Sequence, residues 1–294
     1  MAVSTSTPVY WGALALALVT SAVTMGSEGT VVVSPSPESG PAAPPETRLD
    51  ARTLKERFDA DAFKGLNEAA FRQTIARIDA VTLLEATQLY LRDRPEYSVN
   101  LVKFERIGGK WSANPDLLNI RYRKSPLGVY VKYAQGPHAG REVLYNHATR
   151  PGELTVVEPG LLSIVAFHID LDNPAVGRST NHRITEIGLE FPISIMNKDL
   201  KTLQSRGGSV DLTRGRWSEE GGEKFWEVTV ELPGPPAYYA HWARLRFNTR
   251  NGIIYEMEVR DALGLPLERF IYRDVKFGKL PANAFDEDNP EYGF

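Results

Sequence analysis

The chain has 294 residues, 42% of them hydrophobic and 24% charged, an ordinary composition for a globular protein of one large domain or two small ones. A net charge of −3 and a pI near 6.0 argue against nucleic acid as the main partner, because phosphate binding needs a concentrated basic face. The absence of cysteine removes disulfides, thiolate metal sites, a cysteine nucleophile and a lipid-modified N-terminal cysteine.

Tyr10 to Met25 (YWGALALALVTSAVTM) is an apolar run without a charge, a little shorter than the ~20 residues of a comfortable transmembrane span. Small residues at Ser21, Ala22, Thr24, Gly26 and Ser27 suit a signal peptidase, although no basic residue precedes the run. Residues 1–27 therefore read as an export signal or an N-terminal membrane anchor. Ser34 to Glu46 (SPSPESGPAAPPE) is rich in Pro, Ser and Gly, so residues 28–48 read as a solvated linker. The folded domain is expected over residues 49–294.

Leu49 to Leu91 has helical periodicity, with Phe71, Ile75, Ile78 and Leu89 on one face and Leu66, Val81 and Leu84 widening the stripe. Asn67 suits a cap, and Arg94-Pro95 ends the helix. From Tyr97 the period drops to two. Tyr97–Arg106, Leu117–Arg123, Val129–Tyr133 and Arg141–Tyr145 read as strands with short Gly- and Pro-containing connections; Glu153–Glu158 and Leu161–Ile169 add further candidates. Ile184 to Arg206 holds a second helix, with Pro192 in its first turn, an Ile193, Met196, Leu200, Leu203 stripe, and a stop at Gly207-Gly208. Val210–Thr213 and Phe225–Leu232 resume the sheet, and Gly234-Pro235-Pro236 breaks it.

The C-terminal stretch is a three-stranded antiparallel meander by pattern. Leu245 and Phe247, then Ile253, Tyr255, Met257 and Val259, then Phe270 and Tyr272 alternate with polar residues, and Asn251-Gly252 is a two-residue hairpin signal. The sum is an α+β domain. Its nine or ten antiparallel strands form one strongly curved half-barrel sheet, or a barrel, with amphipathic helices packed in or over the concave face.

Catalytic signatures are sparse. His168, Asp170 and Asp172 (HIDLD), with His182 nearby, come closest to a metal or hydrolase constellation, but alternation makes them the wet face of a strand entering a turn. No G-x-S-x-G, P-loop, H-E-x-x-H or dinucleotide fingerprint is present. Arg121, Arg123, Lys124 and Lys132 lie among Tyr122, Tyr130 and Tyr133 on neighbouring strands. They make either a patch for an anionic headgroup or partner, or an ordinary solvated face.

The phrase Arg121 to Tyr130 (RYRKSPLGVY) and the finish Phe270 to Phe277 (FIYRDVKF), in this order of elements, resemble the periplasmic lipoprotein-carrier (LolA/LolB/RseB-like) superfamily. Leu144-Tyr145 and the ending Phe285 with Asn289 to Phe294 (F…NPEYGF) resemble, more narrowly, the DUF1571 family grouped with those carriers. The resemblance covers about Ala70 to Phe294 and implies an incomplete antiparallel barrel that holds acyl chains in its concave face under helices acting as a lid. It also implies a periplasmic or cell-envelope location in a Gram-negative bacterium.

The expected function is accordingly an exported, non-enzymatic binder of lipid or acylated ligand, needing no cofactor, with an envelope protein as a further partner. The expected apolar lining is Leu118, Ile120, Tyr122, Val129, Val131, Tyr133, Trp226, Val228, Val230, Tyr255, Met257, Phe270 and Tyr272. Two alternatives stay open. One is an envelope interaction or sensor module whose helix at Phe71–Leu91 fills the sheet; the other is a metal-dependent hydrolase built on His168, Asp170 and His182.

Overall fold

The structure, a computed structural model, describes residues 30–31, 48–160, 165–174 and 180–294. The expected signal or anchor, most of the linker and part of the expected strand Leu161–Ile169 lie outside the described residues. No helix among the described residues is long and apolar enough to cross a membrane.

The described residues contain β1 (Thr30–Val31), α1 (Ala51–Asp59), α2 (Glu68–Ile75), α3 (Ala80–Arg92), β2 (Glu96–Ile107), β3 (Lys110–Trp111), β4 (Asp116–Lys124) and β5 (Leu127–Gln135). They continue with β6 (Glu142–Asn146), β7 (Glu153–Val157), β8 (Phe167–Asp170), α4 (Glu190–Ser205), β9 (Arg216–Glu220), β10 (Glu223–Glu231), β11 (Trp242–Asn248), β12 (Ile254–Arg260) and β13 (Pro266–Phe277). All the strands join one unclosed sheet of order β1-β10-β11-β12-β13-β2-β4-β5-β6-β7-β8, with β3 beside β2 and β9 beside β10. The pairing is antiparallel except where Thr30–Val31, inside the stretch read as linker, runs parallel to Thr229–Val230. This is the α+β curved half-barrel that the alternation calls for.

Where one helix was expected over 49–91, three form, each started by its own Asx cap. The side chains of Asp50, Asn67 and Asp79 accept from the backbone N–H of Thr53, Ala70 and Thr82 at 2.8, 2.9 and 2.9 Å. The stretch Val210–Thr213 is not a strand. Asp211 bonds Thr213 N at 2.9 Å and turns Leu212–Arg214 into a 3-10 turn, so the sheet resumes at Arg216. The final meander forms as expected.

Register sets which residues face inward. One row runs Leu245–Met257–Phe270–Lys103 and the next Tyr272–Leu101–Leu118–Tyr133. Trp226, Val228 and Val230 continue the same face. Tyr255 departs from it. A bulge between Arg246 and Phe247 pairs Phe247 with Ile254, which puts Ile254 inward and leaves Tyr255 outside the alternation. The Tyr255 ring packs 5.8 Å from Phe225, which itself lies under the Arg246 guanidinium.

The helices cover part of the concave face. Phe71 of α2 packs 5.5 Å from Trp226, and Phe191 of α4 packs 5.9 Å from Phe270. At the β11–β12 turn Gly252 has φ 69°, and a Cβ there would stand 2.3 Å from Thr87 Oγ1 of α3. Glycine thus lets the turn touch the helix.

Residues 280–294 return across the opposite face of the sheet, where Ala284 and Phe285 bury against Tyr130 and Leu144.

Candidate functional site

Between the uncovered part of the sheet and the segment 180–187 lies a cavity of about 190 Å³. Its walls are Leu101 of β2, Val131 and Tyr133 of β5, Val143 of β6, Leu154 and Val156 of β7, Ile169 of β8, and Phe270 and Tyr272 of β13. Ile184 and Ile187 roof it, and Lys103, Arg141, Glu158, His182, Arg183 and Glu186 supply its polar parts. An apolar body with a few polar groups is the usual make-up of a small-ligand pocket. Two of the cations at its edge are already committed: Arg141 to Glu158 at 2.9 Å, and Arg183 to Asp172 at 2.5 Å.

Four of the thirteen expected lining residues, Val131, Tyr133, Phe270 and Tyr272, line this cavity. Leu118, Ile120, Tyr122, Val129, Trp226, Val228, Val230 and Met257 are buried within the hydrophobic core. Tyr255 sits against Phe225 as described above. The walls contributed by β6, β7, β8 and the 184–187 turn were absent from the sequence-based set.

The polar end of the cavity also escaped the sequence reading. Alternation along β2 puts Lys103 and Glu105 on the same inward face as Tyr97, Val99 and Leu101, and Glu268 precedes Phe270 in the same way on β13. Glu105 and Glu268 are register partners, and each is 5% exposed. Lys103 Nζ lies 2.7 Å from Glu105, while His182 Nε2 lies 2.8 Å from Glu268. Tyr239 donates its hydroxyl hydrogen to the other Glu268 oxygen.

Burial works against a charge on His182, but Glu268, Glu105 and Glu186 outweigh it and hold its pKa above the usual histidine value. Burial likewise works against the Glu268 carboxylate, and the bonds from His182, Tyr239 and Asn181 overcome it and hold its pKa down. Buried Tyr239, beside Glu268, is pushed far up and stays a hydrogen-bond donor.

Glu105, His182 and Glu268 offer ligand atoms within 4.8 Å of one another. All four carboxylate oxygens already accept from protein donors, and the Lys103 ammonium stands beside one of them. A cation would have to displace those donors, so no metal is assigned. The expected constellation of His168, Asp170 and His182 does not assemble: His168 contacts Thr155 and Glu287, Asp170 accepts from Asp172 N at 2.7 Å, and His182 joins Glu268 instead.

Next to the cavity, two tyrosines hold the start of α4. Leu189 N donates to Tyr97 Oη at 2.8 Å, Tyr97 Oη donates to Glu190 Oε2 at 2.8 Å, and Tyr272 Oη donates to Gly188 O at 3.2 Å. Glu190 Oε1 is buried and has no hydrogen-bond partner among the described residues. Burial raises the Glu190 pKa, opposed by the Tyr97 bond.

The basic cluster is largely spent within the chain. Arg121 binds Glu291 at 2.5 Å and Tyr292 Oη at 3.0 Å, Arg123 covers the Phe285 ring at 4.6 Å, and Lys132 pairs with Glu142 at 2.9 Å. The cluster that the sequence leaves open between a docking patch and a solvated face thus seats the C-terminal segment through Arg121 and Arg123.

The profile of a family described as "Protein of unknown function (DUF1571)" matches residues 94–294. Among solved structures, the chain is similar to a LolA superfamily protein from Nitrosomonas europaea, with 13% identity over 71% of this chain and 98% of that one and a TM-score of 0.28. A putative outer membrane lipoprotein-sorting protein domain from Vibrio parahaemolyticus shares 10% identity over 69% of this chain and 95% of that one, with a TM-score of 0.32. A chain of the Pseudomonas aeruginosa MucA/MucB complex shares 15% identity over 67% of this chain and 59% of that one, with a TM-score of 0.35. Among curated proteins no match was found.

Proposed function

The chain belongs to the DUF1571 family, and on that footing we propose that it is an exported, non-enzymatic binder of lipid or an acylated ligand in the Gram-negative cell envelope. The acyl chain enters the cavity between β5–β8 and the 180–187 segment. One observation carries the reading: an apolar space of about 190 Å³ remains inside a sheet whose other inward residues are packed.

The energetics are adequate. At ~30 Å³ per water-sized group the space takes about six such groups. Burying that many methylenes at ~0.8 kcal/mol each yields on the order of 5 kcal/mol before the costs of association. Val131, Tyr133, Phe270 and Tyr272, with Val143, Leu154 and Val156, are the proposed contacts.

The filled-core reading as an envelope interaction or sensor module draws support from the opposite half, where Phe71 and its neighbours pack directly on Trp226. The cavity favours the binder. The test is a titration of a fluorescent fatty acid against the purified protein and against Val131→Trp, together with mass spectrometry for co-purifying lipid. Binding that Val131→Trp weakens tenfold or more supports the proposal. A wild-type protein that carries no lipid and binds no fatty acid ends it.

A further inference from the structure

We propose that Thr180-Asn181-His182 is a proton-sensitive latch that holds the 180–187 segment over the cavity by bridging Glu105 and Glu268. Its role in ligand entry rests on the reading of the cavity given above; its existence does not.

The geometry begins with a conflict. Glu105 and Glu268 face each other across β2 and β13, on the inward side, both buried. Like charges directly opposite destabilise a strand pair, and burial without donors makes matters worse. Lys103 and Tyr239 meet part of that need, and one tripeptide supplies the rest. Thr180 Oγ1 reaches both Glu105 oxygens at 3.1 Å, and Asn181 N reaches Glu105 at 3.1 Å. Asn181 Nδ2 and His182 Nε2 reach Glu268 at 3.1 and 2.8 Å. Immediately after these residues come Ile184 and Ile187, the roof of the cavity. At its far end the segment is pinned where Tyr272 Oη bonds Gly188 O and Tyr97 Oη receives Leu189 N. Fixed at 188–189 and tied at 180–182, with a solvent-exposed Arg183–Asp172 pair between, the roof is freed to open when the buried tie is released.

Charge balance makes protonation the control. Lys103 offsets one carboxylate, and His182 offsets the other only when protonated. The groups facing His182 are Glu268 of β13, Glu105 of β2 with Lys103 behind it, Tyr239 ahead of β11, and Glu186 of its own turn at 3.6 Å. The rings of Phe191 and Phe270 flank it at 4.3 and 5.8 Å. Three acidic neighbours hold the proton on against burial. Its loss leaves an uncompensated buried charge and weakens the tie to Glu268.

The experiment is amide hydrogen exchange on the full chain from about pH 5.5 to about pH 8.5, corrected for the intrinsic rate, in the wild type, His182→Gln and Thr180→Val. Protection across 180–187 is expected to fall as pH rises in the wild type, tenfold for each unit by which the latch raises the His182 pKa, while amides of β2 and β13 stay level. His182→Gln should be low and flat, and Thr180→Val low but still pH-dependent. Flat wild-type protection overturns the latch. So does stabilisation by added Zn²⁺ at alkaline pH that His182→Gln abolishes, which would make this a cation site. Fatty-acid binding measured on the same samples separates the two ideas: pH-dependent protection without binding sinks the ligand reading and keeps the latch, and binding with flat protection does the reverse.

Discussion

The ring of Phe285 lies directly on Gly128, so closely that a Cβ built on Gly128 would stand 2.7 Å from Phe285 Cγ. Around this contact, Asn146 Nδ2 donates to Phe285 O at 2.8 Å, and the Tyr130 and Tyr292 rings stack 3.7 Å apart. Gly128→Ala should therefore cost about 1–3 kcal/mol by overpacking. Phe285→Ala, at a site 2% exposed, should cost about 3–5 kcal/mol. Urea denaturation of each variant and of the double variant checks both. The double variant should fall short of additivity because the alanine methyl no longer meets a ring.

Ile78 is 7% exposed and belongs to the core beneath the helices. Ile78→Asp should yield no folded protein, since an unpaired buried carboxylate costs several kcal/mol in a domain stable by only about 5–15. Circular dichroism and gel filtration read the result. A folded Ile78→Asp of unchanged melting temperature would instead make α2 and α3 a movable cover.

Thermal stability should peak in mildly acidic solution. The His182 pKa lies above its ordinary 6.5 in the folded state, so its contribution is complete below 6.5 and is lost as pH rises through the raised value. The Glu268 pKa lies below its ordinary 4.5, so its contribution is complete above 4.5 and is lost as pH falls through the lowered value. Both are present between 4.5 and 6.5. Melting curves against pH test this. Glu268→Gln should lower the maximum and blunt both limbs, and a profile identical to the wild type would remove the pair from the account.

Glu190 works in the opposite sense. Burial raises its pKa, so the fold bears a cost once the carboxyl ionises, a cost absent at acid pH. Glu190→Gln keeps an acceptor for Tyr97 Oη and should raise the melting temperature near neutrality but not below about pH 4, since ordinary glutamate is protonated there. A drop at neutral pH would mean that the ionised form is needed where it sits.

Much of the architecture was legible because strand alternation is a strong, local signal. The meander of Leu245, Met257 and Phe270 came through, as did the runs of β2, β4, β5 and β10. What escaped were features decided by single side chains or by tertiary pairing. Asp79, together with the Asn67 cap already visible in the sequence, cut one helix into three, and one extra residue at the β11–β12 bulge turned Tyr255 out of the alternation. The polar end of the cavity had a trace in the sequence: Lys103 and Glu105 occupy inward positions of β2, where apolar residues belong. Their partner Thr180-Asn181-His182 had none, because nothing local announces that a loop will meet two carboxylates 76 and 86 residues away, as Asn181 N does with Glu105 and His182 Nε2 with Glu268.

Among the described residues the sheet ends at β8, held to β7 along Glu153–Asp170, Leu154–Ile169, Thr155–His168 and Val156–Phe167, and does not close onto the β1 edge. Because Ile169 of that final strand forms one wall of the recess, the wall hangs from a four-pair hem rather than from a ring. A cylinder must break to swallow a larger guest, whereas a hem has only to swing. Any change in the volume of the recess therefore calls for movement of those four pairs alone, and leaves the ladders from β10 to β7 in register.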